Sequence, residues 1–265
     1  IFETLNARGE PLLPADLLRN YIFLRVAREG QSQENLYKEY WQGFDYPFWR
    51  HEIRQGRLIR PRSDLFMQHF LASKQAVDIP IKHLYVEYKW WIERKRPFQN
   101  IREELSTLAK QGKNFRRIIE PAKGDYLYPL VTFLRNFDIG TVYPVLLYLL
   151  DIAIDEADFK RIALVIESYL LRRAVCGYTT KGYNRIFLTM IRFLQENGTN
   201  LANINKYFSG LMGESTEWPT DDDFWSAWQS KHAYQMLNNE KIVYVFRRID
   251  ETFLSNKHEI ISIDG

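Results

Sequence analysis

Two stretches of the chain combine residue types that suit the binding of phosphate. Residues 170–187, LLRRAVCGYTTKGYNRIF, interleave basic and aromatic side chains around a turn. A protein that contacts a nucleic-acid backbone and stacks on its bases needs both types of side chain close together. The candidate contacts to a DNA backbone in this stretch are Arg172, Arg173, Lys181 and Arg185.

A purely structural interpretation of this stretch remains open. The two tyrosines, Tyr178 and Tyr183, would then pack a helix junction, and one of the arginines would pair with Glu167 or Asp155. Cations at the C-terminal end of a helix are favourable in any case, because they offset the helix dipole.

Residues 50–62, RHEIRQGRLIRPR, contain five arginines and a single acid, Glu52. Arginines in a loop that contains Gly and Pro suit contacts to phosphate, and the candidates here are Arg54, Arg57 and Arg60. The alternative is a solvated loop whose arginines pair with acids elsewhere in the chain.

Asn6, Arg8 and Gly9 form a third candidate site, at a point where a short helix is predicted to end. Gly9 would permit a positive φ there. The neighbouring guanidinium could then meet a phosphate, and the amide could meet a hydroxyl or a base edge. An ordinary helix C-cap with a solvated Arg8 is the alternative.

Trp90 and Trp91 are adjacent on a predicted helix and precede Arg94, Lys95 and Arg96. Neighbours on a helix point about 100° apart, so one indole faces outward if the other faces inward. An exposed indole would indicate an interface with another domain or with a flipped base. We expect instead that both indoles belong to the core, at the edge of the bundle.

The sequence contains no recognisable catalytic or metal-ligating constellation. Asp221–Asp223 are interpreted as the first turn of a helix, where negative charge is favourable. The five histidines lack the spacing of a metal site. The single cysteine, Cys176, excludes an internal disulfide, is expected to be buried, and fits a reducing, cytosolic setting.

Helices must position these stretches, because apolar residues recur at helical spacing along most of the chain. Residues 43–61 are predicted to form a loop, and EIISID (259–264) alternates like a strand. The predicted fold class is all-α, a multi-helix bundle with a possible short strand at the C-terminal tail. The predicted helix starts are Pro14, Ser32, Ser63, Pro80, Pro97, Asp155, Thr220 and Asn238, and the predicted stops are Gly30, Gly177 and Gly198.

The composition is compatible with this class. Of the 265 residues, 46% are hydrophobic and 15% are aromatic, so the chain can bury a sizeable core. The net charge of +3 permits a nucleic-acid partner without requiring one. The longest apolar run, YPVLLYLLDIAI (143–154), is too short for a membrane span, and a cytoplasmic protein without a membrane partner is expected.

The N-terminal stretch resembles a known protein family. FETLNARGEPL (2–12) followed by DLLRN (16–20) resembles a motif of the GmrSD-type modification-dependent (type IV) restriction endonucleases, F-E-T-L-N-x-R-G-x-x-L followed by D-L-[I/L]-[R/K]-N. In that family the motif closes a nucleotide-binding domain with a ParB/sulfiredoxin-like fold. ESYLLRRAVCGYTTKGYNRIF (167–187) and WPTDDDFWSAW (218–228) are similar to the helical middle of the family.

The resemblance implies a domain order. Residues 1–30 would end the nucleotide-binding domain, residues 31–257 would form the helical middle domain, and residues 258–265 would enter an HNH-like nuclease domain. The sequence lacks the D-G-Q-Q-R motif and the nuclease histidine motif of the family. On this view the chain carries no cofactor itself, the NTP and the divalent metal serve the parent enzyme, and Asn6 and Arg8 face the nucleotide site.

The leading hypothesis is therefore a helical connector of such an endonuclease. It would couple nucleotide binding to DNA cleavage, contact the DNA backbone and pack against the neighbouring N- and C-terminal domains. The alternative is a helical scaffold or protein-interaction module with no role in binding nucleic acid. Cations converging on one face would favour the first hypothesis, and an exposed apolar patch without a basic stripe would favour the second.

Overall fold

The computed structural model describes residues 13–55, 58–213, 215–230 and 237–253. These ranges are predominantly helical, and their only strands form a two-stranded antiparallel hairpin. The predicted all-α class is therefore confirmed. The strand predicted at the C-terminal tail lies outside the described residues.

The chain folds as two compact units. The first comprises the residues up to Glu120 together with Tyr143–Ile152, and the second comprises Pro121–Val142 together with the residues from Ala153 onward. The helices of the first unit are α1 (Pro14–Arg28), α2 (Gln33–Leu36), α3 (Pro47–Arg50), α4 (Arg62–Gln75), α5 (Leu84–Trp90), α6 (Ile101–Ile119) and α8 (Tyr143–Asp151). The helices of the second unit are α7 (Tyr128–Asn136), α9 (Glu156–Cys176), α10 (Tyr183–Asn197), α11 (Leu201–Ser209), α12 (Asp221–Ser230) and α13 (Asn239–Phe253).

The first unit also contains the hairpin and several tighter or wider helical turns. Strand β1 (Glu52–Gln55) pairs with β2 (Leu58–Pro61), so that Ile53 faces Arg60. The segment predicted as a loop, residues 43–61, thus contains both α3 and this hairpin. Pro47 occupies the first turn of α3, where its fixed φ is favourable. Within the described ranges, the first unit also has the π-helical segments Tyr37–Trp41 and Trp91–Lys95 and the 3₁₀ segments Gln42–Asp45 and Ile81–His83, and the second unit has the 3₁₀ segment Gly140–Val142.

Side-chain caps set four of the eight helix starts that the sequence predicts, at Ser32, Asp155, Thr220 and Asn238. Ser32 and Asp155 each accept a hydrogen bond from the backbone N–H three residues on, as N-caps do. Thr220 and Asp223 exchange reciprocal hydrogen bonds in a capping box. The carboxylate's bonds lower the pKa of Asp223. Gly177 ends α9 at a φ of +75°, in the left-handed region.

Two predicted helix starts are wrong. Helix α6 begins at Ile101 and not at Pro97, because the side chain of Asn100 accepts the N–H of Glu103 and caps the helix there. Helix α4 begins at Arg62, so Ser63 lies inside its first turn and does not cap it.

Aromatic side chains form the core of the first unit. The ring of Phe44 lies 5.0 Å from Trp41, 4.8 Å from Trp49 and 5.5 Å from Phe66, measured between ring centres. Helix α4 packs against α8, and so does α6. Gly112 lies on α6 beside this cluster, and a Cβ atom there would approach two atoms of the Phe44 ring to 2.7 and 2.9 Å.

In the second unit, α9 packs against α7, α11 and α12. Its inner face repeats at helical spacing, with Phe159, Ile162, Ile166 and Leu170 all fully buried. Helix α13 packs on α7, where Tyr244 meets the ring of Phe133.

We expect Gly112→Ala to destabilise the first unit. Alanine would gain about 1 kcal/mol of helix propensity, but the half-buried Phe44 packs against three other rings, and overpacking of such a cluster costs about 1–3 kcal/mol. The expected outcome is a net loss of up to about 2 kcal/mol in urea unfolding. Gly43→Ala, which meets no atom within 4 Å, is the control. A Gly112→Ala protein as stable as wild type would show that Phe44 can move aside.

His69 on α4 is buried between Phe115 and Tyr143, and desolvation lowers its pKa to about 4. The unfolded chain protonates this histidine near pH 6.5, whereas the folded chain resists protonation until about pH 4. His69 therefore costs no stability above pH 6.5 and destabilises the fold progressively as the pH falls between these values. The full difference corresponds to roughly 3 kcal/mol.

The test compares wild type with His69→Gln from pH 7.5 to pH 4. The free energy of unfolding of wild type is expected to fall relative to that of the variant as the pH drops. Burial raises the pKa of Asp64 and of Glu104, which act in the opposite direction, but both proteins share them. His83→Gln, a substitution of the same type at an exposed site, is the control. Parallel curves for wild type and His69→Gln would rule out the effect.

Candidate nucleic-acid interface

Lys181 and Arg185 lie at the entry of α10, and both are exposed. The segment before α10 is ordered by short-range bonds, including that from the Lys181 N–H to the Thr179 hydroxyl (3.3 Å). Neither cation forms a salt bridge within the part of the chain that the structure describes. Two neighbouring unneutralised charges on a loop and helix start can contact successive phosphates.

Arg173 is fully buried, at 0% exposure. Its guanidinium donates to the carbonyl oxygens of Glu217 (2.8 Å), Thr179 (3.0 Å) and Ser215 (3.0 Å). Its carbon lies 5.1–5.7 Å from the centres of the Tyr169, Tyr178 and Tyr183 rings. The prediction that Arg173 contacts a DNA backbone is therefore wrong for this fold, since no part of its side chain reaches the surface.

Arg172 is also engaged in the second unit. It donates to Asp221 at 2.5 Å and to the carbonyl of Pro219 at 3.3 Å. Its guanidinium stacks over the ring of Phe224 at 5.5 Å. These bonds connect α9 to the start of α12. The guanidinium of Arg172 is therefore already used in contacts within the protein.

The acids that the sequence offered as partners for these arginines are used elsewhere. Asp155 caps α9. Glu167 accepts from the Tyr244 hydroxyl (2.8 Å) and from Arg248 (3.0 Å). Tyr183 is buried at the helix junction, as the structural interpretation predicted. Arg172 and Arg173, however, bind Asp221 and backbone carbonyls and not Glu167 or Asp155.

The arginines of residues 50–62 differ in their contacts. Arg50 lies 3.6 Å from Asp16, and Arg62 lies 2.7 Å from Glu120. Arg54 and Arg60 are exposed on the two hairpin strands, where Arg60 donates to the carbonyl of Ile59. Arg57, Asn6 and Arg8 lie outside the described residues.

The indole pair on α5 departs from the prediction of two core side chains. Trp91 is buried at 6% exposure, whereas Trp90 is 46% exposed and Val86, one turn earlier, is 61% exposed. The cause is the helical geometry that the sequence already contained, since adjacent positions cannot both face a core on one side.

A π-helical turn follows Trp90 directly. Over Trp91–Lys95 the helix widens, so that a side chain five positions on returns to the same side. The ammonium of Lys95 accordingly lies 5.6 Å from the centre of the Trp90 ring. Lys82 on the preceding 3₁₀ turn, Lys89 on α5 and Arg94 on the π-helical turn are exposed, as is Glu93, so cations outnumber acids along this part of the chain.

A buried polar network that sequence reasoning missed holds this element from behind. Glu104 on α6 is fully buried and accepts from Arg25 on α1 (2.7 and 3.0 Å) and from the Tyr88 hydroxyl on α5 (2.8 Å). Burial raises the pKa of Glu104, an effect that outweighs the opposing influence of Arg25. A cleft of about 470 Å³ borders this network, lined also by Glu93 and Arg96.

The acids and histidines of the described ranges suggest no metal site. Asp223 belongs to the capping box of α12, and Asp221 pairs with Arg172. Among these residues no group of three or more His, Cys, Asp or Glu side chains is placed to hold a metal ion. In the same ranges, no helix combines the length and apolar character that a bilayer-spanning segment requires.

Comparison of the chain with protein-family models, with curated proteins and with solved structures gave no match.

We expect Arg173→Lys to destabilise the second unit strongly. A lysine ammonium lacks the planar fork that meets three carbonyl groups at once, so buried acceptors would lose their donors. The expected loss is about 2–4 kcal/mol in urea unfolding. Arg172→Lys, which keeps its charge beside the exposed Asp221, should cost less than about 1 kcal/mol. Equal losses for the two variants would contradict the role assigned to Arg173.

Proposed function

We propose that the chain is the helical, DNA-contacting portion of a modification-dependent restriction endonuclease. The observation that carries this proposal is the similarity of residues 2–20 to the motif that closes the nucleotide-binding domain in that family. In this role the helical portion links nucleotide binding to cleavage and performs no catalysis itself. NTP and a divalent metal would act in the neighbouring domains.

The distribution of basic side chains in the second unit supports a DNA-contacting surface. Arg172 and Arg173 are engaged within the protein, whereas Lys181 and Arg185 are exposed and without a salt bridge in the described ranges. Cations at a loop and a helix start bind phosphates and carry no base-reading pattern. DNA binding through them should be indifferent to sequence and steeply dependent on salt.

A second candidate function is supported by α13. Phe246, Ile249 and Phe253 are exposed at 47%, 40% and 76%, and their spacing of three and four places them along one side of the helix. An exposed apolar stripe on a helix is typical of a protein–protein contact. It favours a helical scaffold or interaction module, either alone or within the proposed enzyme.

The two functions are separated by measuring duplex DNA binding over a salt series. Replacing both Lys181 and Arg185 with Ala should weaken binding and lower the slope of log affinity against log salt by about 2, because each phosphate contact contributes about 0.9. The control replaces Lys160 and Arg161 with Ala. Those two cations are exposed but already neutralised by Glu156 and Asp158.

Unchanged affinity and slope in the Lys181/Arg185 variant would favour the scaffold. A loss that matched the control would show a general effect of charge. A loss confined to one DNA sequence would reveal direct readout of bases, contrary to the proposal.

A further inference from the structure

We propose that the outer face of α5 and of the π-helical turn after it binds single-stranded nucleic acid, with one unpaired base stacked on Trp90. The feature that points to it is an exposed indole within a row of cations: Lys82, Lys89, Arg94 and Lys95. This surface belongs to the first unit and shares no residue with the Lys181–Arg185 site. The inference does not rest on the function proposed above.

The indole is available because its neighbours anchor the helix from the other side. Tyr88 binds the buried Glu104, and Trp91 packs against Phe70 and Phe98 in the core. Trp90 itself has no aromatic neighbour within the described ranges and leaves 46% of its surface exposed. A rigid, half-exposed ring of this kind is a stacking platform, because every base has a π face.

The charges around the ring favour an anionic partner. Between Lys82 and Arg96 the exposed cations are Lys82, Lys89, Arg94, Lys95 and Arg96. Only Lys89 among them forms a salt bridge within the described residues, a long one of 3.9 Å to Glu93. Two acids, Glu87 and Glu93, lie in the same stretch, so the five cations leave an excess of positive charge. A surface made for another apolar protein face would not keep so many charged side chains beside one indole and one valine.

The spacing of the side chains matches a flexible strand better than a duplex. Positions 86, 90 and 94 recur every four residues and so follow one side of the helix, with Lys95 brought over the ring by the π-helical turn. A ring on a convex helix face cannot enter a stacked duplex, so the base must be unpaired. Lys95 would leave the ring as the base stacks, and its ammonium would then meet a neighbouring phosphate.

The experiment measures binding of a fluorescein-labelled oligothymidine by anisotropy at several salt concentrations. Trp90→Ala should weaken binding by roughly tenfold and leave the salt slope unchanged, because stacking carries no charge. Trp90→Phe should retain most of the affinity. Arg94→Ala should lower the slope by about 0.7, the value for one contact to a single-stranded phosphate.

The chain offers a matched control in Trp225, which is 56% exposed on α12 but follows the acidic residues Asp221–Asp223. Trp225→Ala should leave the binding of the oligonucleotide unchanged. A second control replaces the ligand with an abasic strand of equal length. Wild type should bind it about tenfold more weakly, and Trp90→Ala should then have no further effect.

Melting curves should show that every variant is folded at the assay temperature, since each replaced side chain is at least partly exposed. Equal loss from Trp90→Ala and Trp225→Ala, or full affinity of Trp90→Ala for oligothymidine, would overturn the stacking. A slope effect of Arg94→Ala without any effect of Trp90→Ala would show an anion-binding surface that reads charge alone, such as one for an acidic protein, and would also overturn the proposal.

Discussion

The second unit depends on one buried guanidinium. A charge removed from water is tolerated only where hydrogen bonds and favourable fields replace its hydration. Arg173 meets that condition with three backbone carbonyl groups and the faces of three tyrosine rings. Because the carbonyls come from Thr179 and from residues 215–217, this side chain fastens two connecting segments to the end of α9. Lys181 lies two residues after Thr179, whose carbonyl accepts from Arg173. The position of this exposed lysine therefore depends on a buried hydrogen bond.

The first unit is also held together by a buried charged side chain, here a carboxylate. Glu104 gathers Arg25 from α1 and Tyr88 from α5 around a buried carboxylate on α6. Tyr88 faces the interior here, which directs Trp91 into the core and Trp90 outward. The exposed surface around Trp90 therefore depends on the buried carboxylate of Glu104, which holds the opposite side of the same helix through Tyr88.

Tertiary contacts therefore divide the basic side chains into those that bind groups within the protein and those that remain exposed to solvent. The net charge of +3 conveys little, because cations with very different roles contribute equally to it. Arg62 and Arg172 pair with acids of their own unit, whereas Lys181, Arg185 and Arg94 remain exposed. The proposed contacts to nucleic acid rest on the second group alone, since only unneutralised charges release counterions on binding. The apolar stripe of α13 adds a surface of different chemistry, suited to protein.

Local sequence determined the helical class and most of the helix boundaries. Caps such as Asp155, the Thr220–Asp223 box and Gly177 act within a few residues, so their effect can be predicted from spacing. The indole pair of α5 likewise contained the information that one ring faces outward. The fate of the arginines was decided only by the tertiary structure. Arg173 binds carbonyls 42 and 44 residues away, and Arg172 pairs with an acid 49 residues away. No spacing in the sequence encodes such partners, because they meet only after α9 has packed against α12 and the segment before it.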